Sequence, residues 1–118
     1  MKNAEKDLLP RTKMFARRII RLYGSLSKTD AVAQVLGKQV LRSGTSVGAN
    51  YREANRGRSK AEFIAKIGDC LKEADETQYW LELLADEGIV PAAKLNALIT
   101  ETGELVAIFI TILKRAKA

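Results

Sequence analysis

Three short runs of turn-forming residues divide this chain, Ser25–Asp30, Asn55–Ser59 and Gly88–Pro91. Between them, apolar side chains recur every three or four positions for roughly 15–28 residues at a time, the period of a helix with one buried face. Nowhere is the alternation of a half-buried strand sustained. A chain punctuated in this way buries its apolar stripes by packing four helices side by side.

The spacing predicts a first helix over about 12–26, with Phe15, Ile19, Leu22, Tyr23 and Leu26 on one face. A second is predicted over 30–55, capped by Thr29 or Asp30, in which Val32, Leu36, Val40, Val47, Tyr51 and Ala54 stay in phase. Its middle, Ser43-Gly44-Thr45-Ser46-Val47-Gly48-Ala49, holds two glycines, and each costs roughly 1 kcal/mol relative to Ala in a helix interior. A break around Ser43–Thr45 is the alternative; the unbroken phase of the stripe favours one continuous helix. Gly44 and Gly48, four apart, then form a smooth strip for another backbone, and we assign them to a contact between subunits.

Gly57 suits the left-handed position that ends the second helix. Ser59 and Glu62 form a capping box that opens a third helix over 59–87, with Phe63, Ile64, Ile67, Leu71, Ala74, Leu81 and Leu84 on its stripe. Gly88 and Ile89 predict a Schellman ending in which Ile89 folds back on Leu84. A fourth helix is predicted over 91–115, with Pro91 in its first turn and Leu95, Leu98, Thr102, Leu105, Phe109 and Ile112 on its main stripe. A second stripe, Ile99, Val106, Ile110 and Leu113, is more apolar surface than a lone bundle hides. Ile99, Val106 and Ile110 either fill the edges of the core or face another subunit. The expected architecture is all-α: one antiparallel up-down-up-down four-helix bundle over residues 1–118.

The chain has no histidine and one cysteine, Cys70. A structural zinc site and the Ser–His and Cys–His nucleophile pairs are thereby excluded. Glu73 and Glu76 share a helix face, but the Glu-x-x-His motif of di-iron bundles is missing, so pairing with arginines is the better reading. We expect no enzyme activity, no metal and no cofactor. A charged N-terminus without an apolar leader, no apolar run of transmembrane length and a lone cysteine lead to the expectation of a cytoplasmic protein with no membrane partner.

The charge is uneven. Residues 1–66 carry 15 Lys and Arg against 5 Asp and Glu, whereas 67–118 carry 5 against 9. Arg52, Arg56, Arg58 and Lys60 crowd the predicted turn between the second and third helices, where the free N–H groups of the third helix add to their pull on phosphate. Arg17, Arg18 and Arg21 form a second basic patch. The alternative is solvated charge, with Arg52 and Arg58 paired to Glu53 or Glu62. Tyr79 and Trp80 are consecutive, so they point different ways on a helix; one joins the core and the other suits a partner surface.

Arg42-Ser43-Gly44-Thr45-Ser46, Ala49-Asn50, Arg58-Ser59, Glu62-Phe63 and Tyr79-Trp80-Leu81, in that order, resemble the bacterial four helix bundle protein family. That family includes proteins encoded in intervening sequences of large-subunit ribosomal RNA genes and the accessory proteins of diversity-generating retroelements. The resemblance spans about residues 13–113. It implies a left-handed antiparallel bundle assembled into ring-like homopentamers. For the retroelement members it implies binding of nucleic acid and of a reverse transcriptase through a basic surface. It carries no catalytic residues. The expectation is a non-catalytic oligomeric module that binds RNA or DNA without strong sequence specificity, acting with a protein partner; the alternative is a protein–protein scaffold with no nucleic-acid role.

Overall fold

The computed structural model describes the backbone of residues 2–118 and the side chains from Leu8 onward. Among the described residues the fold is all-α, with α1 (Lys2–Ser25), α2 (Ala31–Asn55), α3 (Lys60–Asp86) and α4 (Ala92–Lys117) and no strand. The molecule measures 46 × 22 × 20 Å, about one long helix in length.

Helix α1 starts ten residues before the Thr12 expected from the apolar stripe. Pro10 lies inside it and removes one backbone donor, which argues for a helix boundary. Packing outweighs that loss: Leu8 and Thr12, flanking Pro10, are both fully buried. Helix α2 runs unbroken through Gly44 and Gly48. Asp30 caps it, accepting from the Ala33 amide at 3.1 Å. Ser59 Oγ accepts from the Glu62 amide at 3.1 Å, and the Glu62 carboxylate accepts from the Arg58 amide at 2.8 Å. Helix α3 ends as a Schellman motif: Gly88 has φ +68, the Ile89 amide donates to Leu84 O at 3.0 Å, and the Gly88 amide donates to Ala85 O at 3.1 Å.

Two turn assignments need correction. Gly57 is not left-handed, since Gly88 is the glycine with positive φ. α2 closes instead through three-residue bonds from Arg56 to Glu53 O and from Gly57 to Ala54 O. Glycine suits position 57 because an added Cβ would stand 3.1 Å from Ala54 O. Pro91 precedes α4 as its N-cap, with ψ 133, and is not part of the first turn.

Side-chain contacts pair the end of α1 with the start of α2, and the end of α2 with the start of α3. Tyr23 donates to Gln34 at 3.1 Å, while further along the same pair Ile19 lies on Gly44 and Thr12 on Gly48. Between α2 and α3, Thr77 donates to Ser43 at 2.8 Å and Lys66 meets Glu53 at 2.8 Å. Ser43 passes the chain on to Gln39 O at 3.0 Å, so this buried pair of hydroxyls is satisfied. The core is one cluster in which Phe15, Ile19, Val47, Ile67, Leu81, Leu84, Leu105 and Phe109 are fully enclosed. Each such side chain contributes about 1.5–3 kcal/mol of burial. The rings of Tyr51 and Phe109, 6.4 Å apart, join α2 to α4 across the centre.

Helices α1 and α4 approach each other at few points. Arg11 bridges the gap, with its guanidinium on both oxygens of Glu101 at 2.7 and 2.8 Å and on Glu104 at 2.9 Å. Helix α4 is by length and composition apolar enough to cross a membrane, contrary to the expectation that no stretch reached that mark. Glu101 and Glu104 interrupt its apolar residues, but the helix is apolar enough on either side to keep its mean hydropathy high. In this fold Arg11 pairs both carboxylates, and Leu95, Leu98, Thr102, Leu105, Phe109 and Ile112 are buried in the core.

Candidate nucleic-acid interface

No acidic residue occurs between Leu8 and Thr29. The amphipathic pattern of α1 turns Phe15 and Ile19 inward and leaves Lys13, Arg17 and Arg21 exposed at intervals of four, a single stripe along the helix. Met14 and Ile20 lie exposed beside it, and Arg18 is half-buried on the flank. Apart from Arg11, none of these α1 cations meets a carboxylate among the described residues.

Arg52, Arg56, Arg58 and Lys60 are all exposed at the α2–α3 corner. The pairing of Arg52 and Arg58 with Glu53 or Glu62 does not form. Glu53 is held by Lys66 at 2.8 Å, which raises the Lys66 pKa. Glu62 takes the Arg58 backbone amide instead of its side chain.

Three surface depressions sort these cations. The first lies along α1 and α2, about 400 Å³, and brings Lys13 to Arg52 and Arg56 over Thr12, Ala16, Gly48 and Ala49. The second, about 370 Å³, places Arg56 and Arg58 beside Glu53, Glu62 and Lys66. The third, about 320 Å³, sits between α1 and α4, where Arg18 and Arg21 join Lys94 over Leu22, Val90, Leu95 and Leu98. Arg17 and Lys60 line none of them. Lys13 and Lys94 were missed in the sequence. Lys13 was within reach, because it stands four before Arg17 on the same face; Lys94 was not, because its neighbours come from a distant helix.

The residues expected at a subunit contact separate into two groups. Gly44 and Gly48 are a correction: their smooth strip is occupied by α1 of the same chain. A Cβ on Gly44 would stand 2.7 Å from Ile19 Cγ1, and one on Gly48 would stand 3.2 Å from Thr12 Oγ1. The small residues are needed inside the fold, and that close packing offsets the helix cost of glycine. Ile99 and Val106 are half-buried against the core, filling its edge, whereas Ile110 is exposed. Trp80 packs on the core and donates to Glu76 at 3.2 Å; Tyr79 beside it is 55% exposed, its ring edge-on to Trp80. On the same helix, within two turns of Tyr79, lie the exposed acids Asp75, Glu82 and Asp86.

Glu73 and Glu76 both bind Arg42, with Arg42 Nη1 3.2 Å from Glu73. Among the described residues no group of three or more His, Cys, Asp or Glu is placed to hold a metal. Cys70 is fully buried, its thiol 3.6 Å from Val47 O, and burial pushes its pKa up to about 12, so it is no nucleophile.

Residues 5–111 match the family model described as 23S rRNA-intervening sequence protein. Among solved structures, a protein of unknown function from the S23 ribosomal protein family of Bacteroides thetaiotaomicron VPI-5482 aligns with a TM-score of 0.86. It is 39% identical to this chain, over 93% of this chain and 97% of that one. No curated protein matches significantly.

Proposed function

The chain belongs to the 23S rRNA-intervening sequence protein family, and on that premise we propose that it is a non-catalytic helical module that binds RNA or DNA through the cations of α1 and the α2–α3 corner. One contrast carries the reading. Arg11, Arg42 and Lys66 are engaged by carboxylates. Lys13, Arg17, Arg18, Arg21, Arg52, Arg56, Arg58 and Lys60 have no carboxylate partner among the described residues. A surface of unpaired cations on a fixed scaffold suits a polyanion with regularly spaced phosphates. The sequence carries no recognised base-reading motif, so specificity for sequence is expected to be weak.

We read the four helices as an up-down-up-down bundle that assembles with copies of itself. Cations line the outside of α1, and exposed acids lie within two turns of Tyr79 on α3. Opposite charges on different faces favour a head-to-tail contact, which forms a ring where its rotation closes; the ring and its five subunits are what the family resemblance implies. Tyr79 and Ile110 are exposed apolar residues open to such a contact, as are Met14, Ile20, Val32 and Val35. The same opposed faces support the second reading, a scaffold for an acidic or basic protein. A protein partner such as a reverse transcriptase belongs to the first reading.

Titration of RNA and DNA at several salt concentrations tests the proposal. Affinity falls steeply with salt if the arginines and lysines neutralise phosphates and release their counterions, and Arg56→Glu with Arg58→Glu weakens binding to all sequences alike. Binding unchanged by the double substitution removes the corner from the interface. Light scattering that returns 13.0 kDa ends the oligomer reading.

A further inference from the structure

We infer that the groove outside the α1/α2 seam receives an unpaired nucleobase, which makes single-stranded nucleic acid the preferred ligand. The inference rests on the nucleic-acid reading above and names the form of ligand that site takes. The floor of the groove is made of Ala16, Gly48 and Ala49 with Thr12 and Thr45. These side chains are short, and the helices are close: a Cβ on Gly48 would already stand 3.2 Å from Thr12 Oγ1. Two backbones drawn together by glycine leave a trough along their outer edge that no long side chain fills. Leu9, exposed, adds an apolar wall, and Lys13, Arg52 and Arg56 form the rim. The one acid in the lining, Glu53, is neutralised by Lys66 at 2.8 Å.

A trough with an apolar floor and a cationic rim fits a flat heterocycle carried between two phosphates. At about 400 Å³ the space lies within the range of small-ligand sites. In a duplex the bases are stacked and paired, so the trough meets only sugar and phosphate. A single strand can turn one base out, lay it on the floor and keep its phosphates on the rim. The guanidinium of Arg52 or Arg56 supplies a plane for the base to stack on. The groove offers no fixed pattern of donors and acceptors, so any of the bases fits.

Fluorescence anisotropy on the full chain tests this with one short oligonucleotide offered single-stranded, as a duplex, and single-stranded with a central abasic linker. The variant is Ala49→Leu; position 49 is exposed, so the added bulk fills the trough without entering the core, and circular dichroism checks the helices. The parent is expected to bind the single strand about tenfold tighter than the duplex. Ala49→Leu is expected to lose that margin while duplex affinity stays unchanged, and the abasic strand should bind the parent about as weakly as the full strand binds the variant. Equal affinity for single strand and duplex, or a loss in Ala49→Leu shared by both, overturns the groove and leaves the nucleic-acid reading standing. No binding of either form at low salt removes that reading and the groove with it.

Discussion

Along α2, helix α1 rests on glycine. Ile19 covers Gly44, Thr12 covers Gly48, and Tyr23 and Leu26 cover Gly37. Along α4 it stands further off, and Arg11 spans the gap to Glu101 and Glu104. The first seam is set by backbone proximity and the second by side-chain reach. The consequences for charge differ. Where the helices are held apart, carboxylates of the partner helix reach the cation between them, and its pKa rises with the pairing. Where they are drawn together, the rim cations Lys13, Arg52 and Arg56 find no acid and remain available to a ligand. The seam that is tightest inside is therefore the one with the most open chemistry outside.

The contrast breaks most sharply at Gly44. Gly44→Val drives a branched side chain into Ile19, and overpacking of this kind should destabilise the protein by about 3 kcal/mol, partly offset by better helix propensity. Urea denaturation measures it; a loss below about 1 kcal/mol would mean that the seam yields easily. Cys70 of α3, which contacts Val47 O on α2 close to Gly44, reports which part opens. With its pKa near 12 the folded thiol should resist alkylation at pH 8, and Gly44→Val should speed the labelling.

At the wide seam the effect is smaller. Arg11→Ala leaves Glu101, which is mostly buried, without its cation, and should cost about 1–2 kcal/mol by the same measurement. In a Glu101→Gln background the same change should cost less, because no uncompensated charge remains. Additive losses would show that Arg11 acts through packing of its stem. The smallest expected effect has the opposite sign. An added Cβ at Gly68 in α3 meets nothing within 4 Å, so Gly68→Ala should stabilise by roughly 0.5–1 kcal/mol through helix propensity alone. A loss there would mean that glycine is needed at position 68 for a contact outside the single chain.

Local signals in the sequence proved reliable. Asp30, Ser59 with Glu62, and Gly88 with Ile89 are each resolved within a few residues, because a cap binds amides or carbonyls one turn away. The phase of apolar residues in α2 correctly overrode the glycines. Three local readings failed where packing or turn geometry had alternatives: α1 begins at Lys2 and not near Thr12, Gly57 closes a turn without positive φ, and Pro91 stands before the first turn of α4 as its N-cap. For the interface, the clustering of Arg17, Arg18 and Arg21 and of Arg52, Arg56, Arg58 and Lys60 was legible. Their sorting onto different grooves was not.

The sequence by itself determined four helical segments, the caps at Asp30, Ser59 and Gly88, and most of the face each helix buries, because these follow from periods and contacts of three or four residues. Tertiary structure decided which face meets which. It gave the strip of Gly44 and Gly48 to α1 of the same chain, paired Arg11 with carboxylates 90 and 93 residues away, and set Lys13 beside Arg52. A helix period specifies the direction of a side chain but not the identity of the helix opposite. That choice depends on how all four stripes fit at once, and side-chain volume at the seams settles it.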